Sequence, residues 1–352
     1  MGRPVVGLDI GTSGVRAAEL SVGRGGRTLE RFGQVPLPTG AVRDGEVMDA
    51  GVVAEALRTL WSQAKFSSKR VVVGVANQKI VVRQVDLPWL PDHELRSSLA
   101  FQVQDSIPMP VEQAILDFHP LEEFTDESGA KMLRVLLVAA SRDMVSNALD
   151  AVVKAGLQPS TVDLNSFAVL RSVAHAENGA PDVRAEALVD VGASVTNIVV
   201  HQAGVPRFVR ILLMGGGDIT DAVAERLGVP IEQAEAVKQT TGLSPSQGAV
   251  ENQPTNRAIE AAGASFVDEV RGSLDYYLAQ PGAVRIERLV LSGGGSLLRG
   301  LPERLEAAAR LPVERARPLT LLQVGKTGLT EEQLAYVEPM VSVPIGLAIG
   351  AA

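Results

Sequence analysis

The sequence states one short phrase twice. Leu8-Asp9-Ile10-Gly11-Thr12 and Val189-Asp190-Val191-Gly192-Ala193-Ser194 each run from an apolar strand, through an aspartate, into a glycine turn that ends on a hydroxyl. Asp9 and Asp190 stand 181 positions apart in a chain of 352 residues, so the repeat divides the molecule into two halves of similar size. A repeat of this kind constrains the architecture more than either copy alone. The surrounding pattern agrees. Residues 5–10 and 15–22 read as a hairpin closed by the turn 11–14, with a third strand at 28–36. Residues 187–191, 196–201 and 207–214 repeat that arrangement.

The repeated turn has a chemistry. A tight glycine hairpin lets backbone N–H groups approach an anion closely. Gly11, Thr12, Ser13 and Gly14 form one such hairpin, and Gly192, Ala193 and Ser194 the other. Facing each other, they would clamp a polyphosphate. A carboxylate beside phosphate is repelled unless a cation or water lies between, so Asp9 and Asp190 are candidates to hold Mg²⁺ through its waters. Either could also orient an attacking water. A third cluster, Ser292-Gly293-Gly294-Gly295-Ser296, follows a buried strand at 288–291 and precedes a helix-like stretch at 297–305. That unit suits a nucleotide, because a helix N-terminus favours negative charge. A single D-x-G-[ST] is most often only a turn, and a glycine triplet is as often a turn as a site. Three such clusters, each directly after an apolar strand, point to nucleotide binding.

Other classes are excluded in turn. The net charge is −8, the pI is near 5.2, and no long Lys/Arg cluster occurs, which argues against nucleic acid as a partner. With no cysteine there are no disulfides, thiolate zinc sites or Cys nucleophiles. The histidines, 93, 119, 175 and 201, have no metal-ligand spacing and read as ordinary surface or satisfied residues. Neither a P-loop nor a dinucleotide fingerprint is present, and Ser292 lacks the glycine of a nucleophile elbow. Met1-Gly2-Arg3-Pro4 leads straight into a strand, without a signal-peptide pattern. The apolar stretch 343–352 is too short to cross a bilayer, which takes about 20 residues. The expectation is a cytoplasmic protein, attached to the membrane only through a partner.

Between the glycine clusters, residues 49–61 carry helical apolar spacing with Asp49 as N-cap, and 71–75 read as a buried strand. Residues 80–160 change texture. Prolines 88, 91, 108 and 110 surround a helix at 92–105, and a strand at 133–140 and a helix at 144–155 follow, so this stretch reads as a small α+β insert. Loops are expected at 178–184 and 242–255, and helices at 219–227, 231–239 and 256–278.

At this point the chain resembles the actin/sugar-kinase/chaperone ATPase superfamily, and within it the PilM family of type IV pilus assembly proteins, an FtsA-like branch. Residues 7–16, including Arg16, resemble the family's first phosphate loop. Residues 190–197, including Thr196 and Asn197, resemble the second. Residues 292–296, with Gly293, Gly294, Gly295 and Ser296, resemble the adenosine motif. Gly215-Gly216 before Ile219-Thr220 resembles a phosphate-contacting segment, and Glu235 with Lys238 an AE-x-x-K helix that reaches the nucleoside. Residues 162–168 and 344–348 resemble two helices connecting the lobes. The implied fold is α/β: an actin-like ATPase (ribonuclease H-like) bilobed fold with duplicated βββαβα cores and an inserted small α+β subdomain. The implied division is a first-lobe core at 1–79, the insert at 80–160 and the end of the first lobe with its connecting helix at 161–184. The second lobe then takes 185–215, a helical/β subdomain at 216–280, and a core with the C-terminal connecting helix at 281–352.

The resemblance also implies ATP and Mg²⁺ between the lobes, and a partner. Residues 104–110 and 116–118 look like that family's "IPFP…LDY" stretch, and 40–47 like the loop before its first helix. The family binds the N-terminal cytoplasmic peptide of the inner-membrane protein PilN near its insert, which places it at the inner face of the membrane. Trp89, Leu90, Phe101 and Ile107 either line that peptide groove or form the insert's own core. The chain departs from the pattern at Asn165, where a Glu is frequent; an amide can hold a water but cannot take its proton, so ATP hydrolysis is expected to be slow at most. Arg16 stands where a Lys is frequent, exchanging a point charge for a fork of donors. Two competing expectations are a sugar- or acetate-type kinase, which needs a base beside a substrate pocket, and an FtsA-like membrane-associated filament protein. The second calls for a basic amphipathic C-terminal helix, and 346–352 carry no basic residue. The sequence leaves the oligomeric state open.

Overall fold

The computed structural model describes residues 4–174, 185–243 and 254–351. The loop expected at 178–184 and most of the one at 242–255 lie outside the described residues. In the first half, β1 (Val5–Ile10), β2 (Gly14–Gly23) and β3 (Gly26–Pro36) form an antiparallel meander. A short hairpin of β4 (Val42–Arg43) and β5 (Glu46–Val47) leads into α1 (Ala50–Ala64). Asp49 caps α1 as the sequence predicts, its carboxylate accepting from the Gly51 and Val52 amides. β6 (Arg70–Val75) pairs parallel to β1, and β10 (Gln158–Leu164) parallel to β6. The order is β10-β6-β1-β2-β3, with β16 (Gln323–Val324) added at the edge beside β3.

The second half repeats this order. β11 (Ala185–Val191), β12 (Thr196–Gln202) and β13 (Val205–Leu212) are antiparallel, and β14 (Ile286–Ser292) and β15 (Val313–Arg315) continue in parallel beyond β11. The sheet reads β13-β12-β11-β14-β15. The duplicated phrase in the sequence is therefore a duplicated topology.

Alternation along the first strand of each sheet decides which residues face the middle of the molecule. Val6, Leu8 and Ile10 point outward, under α1 and α3 (Arg142–Lys154). Ala187, Val189 and Val191 point outward, under α5 (Gly216–Leu227), α7 (Pro254–Leu278) and α8 (Leu301–Ala309). Asp9 and Asp190 are left on the inward faces. Those faces are separated by α4 (Asn165–Val173) and α10 (Ser342–Gly350). Helix α10 lies on β1, where a Cβ at Gly7 would come within 2.0 Å of the Pro344 carbonyl oxygen. On the other sheet, α4 packs Ala168, Val169 and Leu170 against Leu188 and Val199. The helices cross at Gly346, where a Cβ would lie 1.7 Å from the Ala168 carbonyl oxygen. The apolar tail is thus a core helix, and no single helix among the described residues is long and apolar enough to cross a membrane.

The stretch 80–160 divides in two. β7 (Ile80–Pro88), α2 (Asp92–Val103), β8 (Ala114–Thr125) and β9 (Lys131–Ser141) form a unit with its own core, in strand order β7-β9-β8. The following α3 packs instead into the first-lobe core through Ala148, Ala151 and Val152. Strand β8 has no counterpart in the sequence reading, because Pro120 interrupts its pattern. The proline is accommodated since β8 is an edge strand whose register shifts between Pro120 and Glu122. The insert's other face joins the inter-sheet core through Leu136, Val82 and Leu121. Residues 216–280, expected to be helical/β, contribute α5, α6 (Ile231–Thr241) and α7, and no strand among the described residues. The helix-like stretch 297–305 is a 3₁₀ turn at Gly294–Leu297 followed by α8. A last short helix, α9 (Glu331–Val337), precedes α10.

Candidate functional site

The two repeated hairpins close in the same way. Gly11 N–H donates to the Gly14 carbonyl at 3.0 Å, and Gly192 N–H to the Val195 carbonyl at 3.0 Å. Register then equates the residues around each acid: Asp9 pairs with Arg16 and Gly74, and Asp190 with Asn197 and Ser292. The tip of the first hairpin is accessible at Thr12 and Ser13, and that of the second at Ala193 and Ser194. Gly215-Gly216 folds onto the second hairpin, with Gly216 N–H donating to the Gly192 carbonyl and Gly217 N–H to the Ala193 carbonyl. A Cβ at Gly215 would lie 2.4 Å from the Gly192 carbonyl oxygen, so only glycine permits that approach. Helix α5 starts here, its first N–H groups taken up by the Gly192 and Ala193 carbonyls and by the Asp218 carboxylate. The Thr196 hydroxyl does not face the site; it donates inward to the Met214 carbonyl at 2.7 Å and fixes the end of β13.

Both aspartates are buried, 8 % and 7 % exposed. Burial lifts the Asp9 carboxyl above its ordinary range, opposed by the Arg16 guanidinium 3.6 Å away and by Asn165. Asp190 is pushed up to about 6, first by burial and then by the negative charge of Asp9. Hydrogen bonds with Ser292 and Asn197 act the other way. Asp9 and Asp190 are thus two buried carboxylates close enough for the charge of Asp9 to raise the proton affinity of Asp190. Asn165 donates to Asp9 at 3.4 Å, while its own Oδ1 is buried without a partner, as is Arg16 Nε. No cluster of three or more acidic or histidine ligands occurs among the described residues. The donor set therefore fits a hydrated Mg²⁺ that takes its other ligands from waters and phosphate, rather than a protein-caged ion.

Lys238 and the glycine triplet, both expected at a nucleoside, meet at Gly216. Gly216 has Gly295 Cα and Lys238 Nζ each 3.6 Å from its Cβ direction. Lys238 is 7 % exposed, and its ammonium is fully engaged by the Gly216 carbonyl (2.8 Å), Thr220 Oγ1 (2.8 Å) and Glu235 Oε2 (2.7 Å). Burial works against the Glu235 charge, but Lys238 and Thr220 outweigh it and hold the carboxyl below its ordinary value. Gly293 has φ +80°, and a Cβ there would meet the Val191 carbonyl oxygen at 2.4 Å. A Cβ at Gly295 would meet Val191 Cγ1 at the same distance. Gly294 alone of the three has room, facing only the Met340 thioether at 3.6 Å. Ser296 is fully buried and donates to the Gly293 carbonyl at 2.7 Å, so it closes the turn and offers no free donor.

Of the residues expected at a peptide groove, Ile107 is buried in the insert core and Leu90 packs against it. Phe101, 78 % exposed, and Trp89, 39 % exposed, remain on the surface. Sequence reasoning missed Ser166, Gly74 and Gly217 as site residues. Gly74 was recoverable by carrying the repeat one strand further; Ser166 carries no sequence signal of its own.

A family profile described as Type IV pilus assembly protein PilM matches residues 7–351. Among curated proteins, the cell division protein FtsA of Bacillus subtilis is 26% identical over 265 residues, covering 67% of this chain and 58% of that protein. FtsA of Neisseria meningitidis is 24% identical over 347 residues, covering 88% and 83%. A solved PilM-PilN type IV pilus biogenesis complex superposes with a TM-score of 0.85 at 29% identity, over 98% of both chains. MreB5 of Spiroplasma citri bound to AMPPNP, at 12% identity and a TM-score of 0.55 over 99% and 96%, shares the fold. The architecture is the bilobed actin-like one.

Proposed function

Because this chain belongs to the PilM family of type IV pilus assembly proteins, we propose that it is an ATP-binding scaffold of the pilus assembly platform. It takes Mg-ATP between its lobes and docks the N-terminal cytoplasmic peptide of a PilN-like inner-membrane protein, which holds it at the membrane. The observation that carries the nucleotide reading is the symmetric pairing of Asp9 and Asp190 on facing sheets, each beside a glycine hairpin. The accessible tips of the two hairpins, Thr12-Ser13 and Ala193-Ser194, would supply donors for phosphate, and Gly294 with Glu235 would border the nucleoside. A bound Mg²⁺ would neutralise phosphate charge there. Asp9 and Asp190 would hold its waters, Asn165 Oδ1 would accept from one of them, and Arg16 balances Asp9. Among the described residues no third carboxylate or histidine joins Asp9 and Asp190 in a cluster, and Asn165 cannot act as a base, which supports turnover that is slow at most.

The partner reading rests on the solved PilM-PilN complex and on the exposed Phe101 and Trp89 of the insert. Fluorescence anisotropy with a labelled N-terminal peptide of the PilN-like protein tests it. Saturable binding is expected, weakened about tenfold by Phe101→Ala if that ring is an anchor. No binding to the folded protein would overturn the partner assignment. The FtsA relatives favour a second reading, a filament; sedimentation of the protein with Mg-ATP distinguishes it, since a scaffold stays in small species.

A further inference from the structure

Helix α4 begins with two adjacent buried polar residues that reach to opposite sheets. Asn165 Nδ2 donates to Asp9 Oδ1 on β1 at 3.4 Å. Ser166, fully buried, donates through Oγ to Asn197 Oδ1 on β12 at 3.0 Å. Asn197, 3 % exposed, passes the contact on, its Nδ2 donating to Asp190 Oδ2 at 3.5 Å. One helix end is thus linked to both acids, directly on one side and through a relay on the other.

The direction of the relay has a consequence. A primary amide can present either its oxygen or its nitrogen to a neighbour. The Asp190 carboxylate draws Nδ2 toward itself, and the Ser166 hydroxyl, donating to Oδ1, anchors the other end of the amide on α4. With no hydroxyl at 166, Asn197 Oδ1 loses its contact with α4, and the amide that faces Asp190 is no longer anchored to that helix. The groups facing Asp190 from the other elements are Asp9 and Arg16 of the first sheet and Ser292 of β14. Ser292 Oγ also lies within hydrogen-bond distance of the Pro339 carbonyl (3.1 Å) and Ser342 Oγ (2.7 Å), contacts that do not involve α4. Ser166 is therefore the connection between the helix that separates the lobes and the orientation of the second-lobe acid.

We propose that Ser166 is a positioning residue: through Asn197 it sets the Asp190 carboxylate relative to Asp9, so that the two acids hold one hydrated divalent cation on a nucleotide's phosphates. This deepens the nucleotide reading above and rests on it. Ser166 touches neither nucleotide nor cation; it acts through Asn197. Its contribution belongs to the cation-dependent part of nucleotide affinity and not to the glycine hairpins.

The test is calorimetric titration of the full chain with ATP, once with Mg²⁺ and once with EDTA, for the wild type, Ser166→Ala, Asn197→Ala and the double variant. The wild type should bind better with Mg²⁺. Ser166→Ala should lose about tenfold in Mg-ATP affinity, the effect of losing one charge-linked hydrogen bond, with metal-free affinity changed less than about twofold. Asn197→Ala should give the same pattern, and the double variant no further loss, since both changes break one relay. Equal losses with and without Mg²⁺, or additive losses in the double variant, would overturn the proposal and leave Ser166 a packing residue. If Ser166→Ala does not fold, Asn197→Ala carries the test from the other end. Absence of ATP binding by the wild type would instead sink the nucleotide reading itself.

Discussion

At the residue scale, Asp190 carries the most information. Its carboxyl is raised from 3.8 to about 6 by burial and by Asp9, so the folded state holds that proton more tightly than the unfolded state does. The sign follows: the stability this group contributes is full below about pH 4 and falls as pH rises through the window up to about 6. The loss is on the order of 2–3 kcal/mol. Asp190→Asn keeps the shape and removes the charge. In metal-free protein, scanning calorimetry should give the variant a higher Tm than the wild type at pH 7.5 and an equal one near pH 4. A constant difference across that range would mean the acid is not strained by its surroundings. Gly294 offers a second residue-level test. Gly294→Ala should unfold at the same urea concentration as the wild type while lowering ATP affinity, because its Cβ meets only the flexible Met340 side chain. The same change at Gly293 should cost stability, since its backbone has φ +80° and a Cβ would strike the Val191 carbonyl.

At the element scale, what could be read in the sequence follows from how local its signal is. Strands β1, β2, β11 and β12 were legible because an apolar run, an aspartate and a glycine turn are all written within about a dozen residues. Helix α1 was legible from its cap, Asp49. Strand β8 was not, since Pro120 suits only an edge, and which strand lies at an edge is a property of the sheet. The inward turn of Thr196 and Ser296 was not legible either; a hydroxyl beside a glycine loop looks the same whether it faces phosphate or a buried carbonyl. Nor was Ser166, whose role depends on a residue 31 positions away on another element. The crossing of α4 and α10 gives this scale its prediction. Gly346→Ala would place a methyl against the Ala168 carbonyl and should destabilise by about 1–3 kcal/mol or more, seen as a lowered urea midpoint. An unchanged midpoint would mean that the two helices are not packed through that glycine.

At the scale of the whole molecule, the insert touches both lobes. Its β7 belongs to the chain's first half, yet Gln84 Nε2 donates to the Arg207 carbonyl on β13 at 2.8 Å, and Leu136 packs with Val209 in the inter-sheet core. β13 leads directly to the Gly215–Gly217 segment against the second hairpin. A shift of the lobes on nucleotide binding would therefore reach the insert by way of this seam. Gln84→Ala should leave the separate affinities for Mg-ATP and for the partner peptide within about twofold, and reduce the factor by which each ligand changes the other's affinity. The measurement is peptide anisotropy with and without Mg-ATP, and an unchanged factor would exclude the seam as the route.

A nucleotide bound between the two lobes has the paired aspartates beside its phosphates. Isothermal titration of the full chain with Mg-ATP, repeated on Asp9→Asn, decides whether it does. One saturable site per chain, weakened tenfold or more in a variant that keeps its thermal stability, is the expected result. No heat of binding from the folded wild type, or an affinity indifferent to Asp9, would contradict it.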